Sequence, residues 1–258
     1  VTRNETELDV DDGPVYAAAV APLVSGLGGG FMISSQAKAF AQGLGLRGRE
    51  GYVRGRGSVL GDVDADVVTA AFGFWPADVV REAWEGGLRV PVDVARAGYA
   101  EACRDWGRAR YADAPFDVPR LAELVQWVVD GTDVAGLPLY AGWRAVDLPA
   151  DDAGRLNQLL HVLRELRGGL HLVAVVASGL TPLQAVLAGA GGSGNAAFYG
   201  WEEPFEDASG HQLARSEAES LTDRLMTPVL DVLGHDERVE LLALLQDAAR
   251  AAFGPEAA

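Results

Sequence analysis

Three separated segments of the chain set arginine beside glycine or an aromatic residue: GYVRGRGSVLG with Arg54 and Arg56, GWRAV with Arg144, and LRELRGGLH with Arg164 and Arg167. A guanidinium is a fixed fork of donors that holds a carboxylate or polarises a carbonyl oxygen, so arginines converging on one pocket would bind an oxyanion. The third segment also carries Glu165 and His171, side chains able to move a proton. The candidate catalytic residues are therefore His171, Glu165 and Arg167. Arg56 and Arg144 would hold the substrate, with Tyr52, Trp75 and Trp143 shaping the pocket. The bland alternative is that such arginines pair with carboxylates, as they commonly do in an acidic chain.

Other chemistries find less support. The four histidines, His161, His171, His211 and His235, lack the two-histidine helical spacing with a glutamate between them that a metallohydrolase uses, so no metal is expected. His161 and Glu165 stand four apart on one helix side, which reads as an ordinary surface pair, or more sharply as an acid/base pair. No serine sits in a nucleophile elbow. The glycine run VSGLGGGFMISS, Val24 to Ser35, suggests a phosphate cradle. Counting from Gly26, however, the third position is Gly28 but the sixth is Phe31, the preceding AAAVAPLV is no strand, and the Walker lysine is missing. The run reads as a structural turn that lets another backbone approach or opens a pocket wall, and no cofactor is expected.

These residues must be held by helices, because apolar positions recur at helical spacing while alternating strand patterns are scarce. Asp64 and Asp66 mark a helix start, with Pro76 close behind its end. Further helices are expected near 92–106 and 118–129, the second capped by Asp117 with Pro119 in its first turn. The proline and glycine cluster GTDVAGLPLYAGW is the candidate boundary between a helical N-terminal half, 14–137, and a C-terminal half, 138–258. The latter opens with DLPADDAGRLNQLLHVLREL, whose Leu156, Leu159, Leu160 and Leu163 form one face, and RGG is read as its stop. LHLVAVVAS follows as a buried helix closed by Gly179. Then TPLQ supplies Thr181 as N-cap and Gln184 as capping-box partner. Helix, turn, helix, glycine turn, helix is a helix-turn-helix order. A final pair of helices is expected near 216–233 and 236–253.

Composition narrows the class. With 37 acidic against 21 basic residues, the chain has a formal net charge of −16, which repels nucleic acid and anionic membrane surfaces. The would-be recognition helix TPLQAVLAGA contains no arginine, lysine or asparagine to read DNA. One cysteine, Cys103, permits no internal disulfide, and a cytoplasmic location follows as the expectation. The polar start, residues 1–13, lacks the pattern of a signal peptide and reads as a disordered leader. No charged residue occurs between Arg167 and Glu202, yet Gly179, Thr181 and Pro182 break that run too early for a membrane span.

In order and spacing, LGLRGREGYVRGRGSVLG, VVTAAFGFWPADVV, LYAGWRA, LLHVLRELRGGLHLVAVVASGL and ESLTDRLMTPVLDVLG resemble the SalK-like actinobacterial family, found beside natural-product biosynthetic genes. The resemblance implies a degenerate winged-helix, MarR-like fold: all-α, mainly helical, with a shortened wing in GAGGSGNAAFYGWEEPFEDASG. It carries over to Gly51, Tyr52, Gly55, Arg56, Gly61, Arg144, Arg164, Glu165, Arg167, Gly168, His171, Thr222 and Asp223. The chain departs at Leu166, Gly169 and Trp143, where relatives have histidine, an acid and asparagine. The expected function is cofactor-independent tailoring in secondary metabolism, a cyclisation, isomerisation or elimination on a polyketide-like or aromatic molecule. The alternative is a non-catalytic small-molecule binder descended from a transcriptional regulator. The partner is a small molecule rather than nucleic acid or membrane, with a homodimer left open.

Overall fold

The computed structural model describes residues 8–255. Thirteen α-helices and no strand occur among the described residues, as the spacing of apolar residues requires. They are α1 (Gly13–Gly29), α2 (Ser35–Gly43), α3 (Glu50–Gly57), α4 (Ala65–Phe72), α5 (Ala77–Gly86), α6 (Val92–Tyr111) and α7 (Val118–Asp130). After the proline and glycine cluster come α8 (Pro138–Arg144), α9 (Asp152–Ala177), α10 (Pro182–Leu187), α11 (Gly192–Tyr199), α12 (Gln212–Leu230) and α13 (His235–Phe253).

Local capping explains several starts. Asp117 accepts a hydrogen bond from Arg120 N and Asp151 from Gly154 N. Thr181 and Gln184 form the expected reciprocal capping box. Asp12 caps α1 and Val10 is buried, so the last residues of the expected leader are part of the fold, while its residues 1–7 lie outside the described ones.

The 26-residue α9 is the central post, packed by α1, α6, α7, α8 and α12. Its Leu156, Leu159, Leu160, Leu163 and Leu166 are buried, and so are its polar Asn157, Gln158, His161 and Glu165. A helix surrounded on this scale has no solvent face at those positions, which corrects the reading of His161 and Glu165 as a surface pair. RGG does not stop the helix either: Gly168 and Gly169 are helical, inside one continuous element. Glycine permits a turn but does not require one, and here tertiary burial on both sides carries the helix through.

The glycine run likewise lies in the last turns of α1 and the 3-10 turn Gly30–Ile33 that extends it. None of Gly26 to Gly30 has a positive φ. Space is the reason at Gly28: a Cβ there would stand 2.4 Å from the Leu160 carbonyl oxygen and 2.7 Å from Arg164 Cβ. The bare backbone lets α1 cross α9 at close range. Gly179, by contrast, has φ +74° and turns the chain between α9 and α10.

One large core draws on Tyr16, Val24 and Leu124 from the first half and on Trp143, Leu160 and Leu245 from the second. The boundary at 137/138 is thus a turn in the chain rather than a break in packing. Gly13–Ile33 is long and apolar enough to cross a membrane by length and composition, but its Tyr16, Val20, Val24 and Leu27 are used in that core. In place of a β wing, the segment after α10 folds into α11 and a loop.

Candidate functional site

A cleft of about 1350 Å³ opens between the end of α1, α3, the α4–α5 connection, α9, the α10–α11 pair and α12. Six of the residues singled out by sequence line it: Tyr52, Arg56, Trp75, Glu165, Arg167 and His171. Gly26, Gly29 and Gly30 line it too, so the glycine run serves both a close crossing and a cavity wall.

At one side of the cleft two arginines share one carboxylate. Arg56 grips Glu165 with both arms of its fork, Nε to Oε1 at 2.9 Å and Nη2 to Oε2 at 2.7 Å. Its Nη1 donates to the Tyr52 hydroxyl at 3.2 Å. Arg164 Nη1 donates to Glu165 Oε1 at 3.0 Å. Burial alone would raise the Glu165 carboxyl, but the charge and hydrogen bonds of Arg56, with help from Arg164, hold it down at about 2. Glu165 is therefore a fixed anion that orients two guanidiniums, and it is too weak a base to carry protons at neutral pH. His161 approaches it at 3.9 Å, Nδ1 to Oε1, inside a cage of Phe31, Tyr99 and Trp143. Burial pushes His161 down to about 3 against the pull of Glu165, and neither ring nitrogen has a hydrogen-bond partner of good geometry.

A second triad lies farther along α9. Glu219 on α12 receives Arg167 Nη2 at 3.2 Å and pairs with Arg215 Nη1 at 2.6 Å. Beside it, His171 Nδ1 sits 2.8 Å from Thr222 Oγ1. The Thr222 hydroxyl donates its only proton to the Ala218 carbonyl at 2.7 Å, so its oxygen accepts from His171, and Nδ1 carries the hydrogen. The basic lone pair is then on Nε2. Burial lowers His171 to about 4 although Glu219 opposes it, with Arg215 and Arg167 adding to the fall. At neutral pH His171 is an uncharged imidazole of defined tautomer on the cleft wall.

The third feature is an aromatic wall. Trp75 stacks on Tyr52 with centroids 5.2 Å apart and 25° between planes, and Phe198 and Tyr199 of α11 close around it.

Two expected residues do not reach the cleft. Trp143 is 1% exposed, packs on His161 and Tyr99, and donates Nε1 to the Arg56 carbonyl at 3.1 Å. Arg144 donates to the Thr132 carbonyl at 2.7 Å and the Tyr140 hydroxyl at 3.2 Å, closing the end of α7. Both support the site from outside. Conversely, Arg215 and Glu219 escaped sequence reasoning. Their one signal was an i, i+4 ion-pair spacing on an expected helix, which ordinary helices share.

The buried ionisable groups give the fold a defined acid sensitivity. An unfolded chain protonates His161 and His171 near the ordinary 6.5, whereas the folded chain resists until about 3 and about 4. Between those limits the unfolded state binds more protons, so stability is complete above 6.5 and falls as pH falls through the window. Glu165, lowered from 4.5 to about 2, adds a further loss below 4.5. The denaturant midpoint should therefore be clearly lower at pH 5 than at pH 7.5. An unchanged midpoint would mean that the histidines are protonated in the folded state.

The family model described as a helix-turn-helix family matches residues 17–257. The chain belongs to the helix-turn-helix family. Neither the curated proteins nor the solved structures contain a match to it. In this helix-turn-helix protein Ala185 and Val186 of α10 are among the residues that line the cleft. Family membership shows the scaffold; the chemistry has to come from the site.

Proposed function

We propose that the protein is a cofactor-independent tailoring enzyme of secondary metabolism, of the cyclase, isomerase or lyase type, acting on a small organic anion that is polyketide-like or aromatic. One observation carries this reading. In a chain of net charge −16, the cleft is lined by five arginines, Arg49, Arg56, Arg164, Arg167 and Arg215, against two glutamates. The cleft is thus a positive site in a negative protein, and such a field draws in anions and stabilises oxyanions. His171 supplies a neutral base for removing a proton from a carbon next to a carbonyl, with Arg167 placed to stabilise the enolate. The resemblance of the arginine and histidine segments to the SalK-like family, with its natural-product setting, supports the same substrate class.

A second reading is a small-molecule-binding protein without turnover, derived from a regulator. It is favoured by α10, whose apolar residues face the cleft where a regulator would transmit occupancy to a reading helix. Incubation with extract from a strain lacking the gene, followed by mass spectrometry, separates the two. A consumed metabolite and a new product support the enzyme; a metabolite that co-purifies unchanged supports the binder. If no small molecule is retained or consumed, both readings fail.

A further inference from the structure

Each arginine triad carries one positive charge more than its glutamate cancels. In the triad on α3 and α9 the surplus can be assigned. Arg56 covers both oxygens of Glu165 and reaches Tyr52, whereas Arg164 gives one Nη1 hydrogen bond to an oxygen already occupied. Among the described residues, Arg164 Nε and Nη2 have no protein acceptor, and its side chain is 28% exposed in the cleft. Its place depends on the glycine run: a Cβ at Gly29 would stand 2.9 Å from Arg164 Nε. The bare turn lets the guanidinium lie across the end of α1.

One turn after Arg164, Gly168 lines the cleft from inside α9. Glycine inside a helix weakens it relative to alanine, and a helix keeps one where a side chain would collide. No collision exists here. A Cβ at Gly168 would meet nothing within 4 Å, unlike Gly28 or Gly169, whose added carbon would strike Leu160 or Leu137. Protein packing does not account for the bare position, but the cleft in front of it does. The same cleft offers the stacked Tyr52 and Trp75 rings.

Resting on the reading of the cleft as a small-molecule site, we infer that Arg164 anchors the anionic group of an aromatic carboxylate, phenolate or sulfonate, and that Gly168 is kept bare to admit its ring system. The anchor sets charge selectivity and the glycine sets how much bulk enters beside it. Arg164 is thus a substrate-positioning residue separate from the His171 end of the cleft.

Fluorescence titration with two probes tests this: 8-anilinonaphthalene-1-sulfonate, and N-phenyl-1-naphthylamine, which is the same skeleton without the sulfonate. The wild-type chain should bind the sulfonate at least tenfold more tightly. Arg164→Gln should erase that advantage by raising the sulfonate Kd at least tenfold, with the neutral probe changed less than twofold, and Arg164→Lys should restore part of it. Gly168→Leu should weaken both probes at least tenfold with an unaltered near-UV dichroism spectrum. Should it not fold, Gly168→Ala serves instead, with Tm raised by about 2–4 °C and both probes weakened several-fold. Equal affinity of the wild type for the two probes, or an unchanged sulfonate Kd in Arg164→Gln, overturns the anchor while leaving the cleft as a binding site. Undiminished binding of both probes in the Gly168 variants overturns the assignment of Gly168. If neither probe binds the wild type saturably, the small-molecule reading of the cleft itself fails.

Discussion

Replacing Glu165 by glutamine is expected to destabilise the protein by about 3–5 kcal/mol. Arg56 is 8% exposed, and its charge persists because Glu165 offsets its burial. A neutral amide would leave that guanidinium buried and uncompensated, and would leave Arg164 facing it across the same gap. The loss is the cost of stranding a charge, rather than the net worth of the pair. A second variant separates these quantities. Arg56→Met combined with Glu165→Leu removes both charges at similar volume and should recover most of the stability, since buried pairs and apolar isosteres are often near parity. Guanidinium denaturation of the single and double variants gives the comparison. A loss below about 1 kcal/mol in Glu165→Gln would show that water reaches the pair and that the carboxylate does not organise this side of the cleft.

Replacing His171 by glutamine is expected to lower turnover of the natural substrate by about 10²–10⁴-fold with little effect on its binding, the range for removal of a general base. Glutamine can still hydrogen-bond Thr222, so the α9–α12 contact is kept while the basic lone pair is lost. The wild-type pH profile should show the same group. His171 lies at about 4, so the neutral, competent form is already complete at pH 6 and the rate should stay flat from there to pH 8. Towards pH 4 it should fall as the ring takes up a proton. Thr222→Val tests the tautomer, since it removes the acceptor that fixes hydrogen on Nδ1, and a smaller loss is expected. Full turnover in His171→Gln would remove the base assignment, and retained affinity with no turnover in either protein would favour the binder.

What could be read in the sequence follows how local each determinant is. The caps of Asp117 and Thr181 were legible because acceptor and donor lie within three residues. The helical class and the opening of α9 were legible because burial imposes a period on neighbouring residues. The pairing of Arg56 with Glu165 joins positions 109 residues apart, and no local pattern specifies it. The turn expected at RGG is absent for a related reason, since a glycine pair states what the backbone is free to do and the packing around α9 decides what it does. The resemblance brought Thr222 forward without its role, which came into view only with the proton count at its hydroxyl. Trp143 and Arg144 are expected as lining and lie behind it instead, because an aromatic or arginine beside a site looks the same in sequence whether it faces the cleft or packs behind its wall.

The unbroken course of α9 through its two glycines fixes a length. Arg164 and His171 are seven residues apart on that helix, two turns, so their backbones are separated by about 10.5 Å along its axis. A turn at RGG would have left that spacing adjustable; a continuous helix makes it a ruler. On the proposed reading, a molecule held at one end by its anionic group meets the imidazole only if its reacting carbon lies at the matching reach, so α9 would measure where on the substrate a proton is taken.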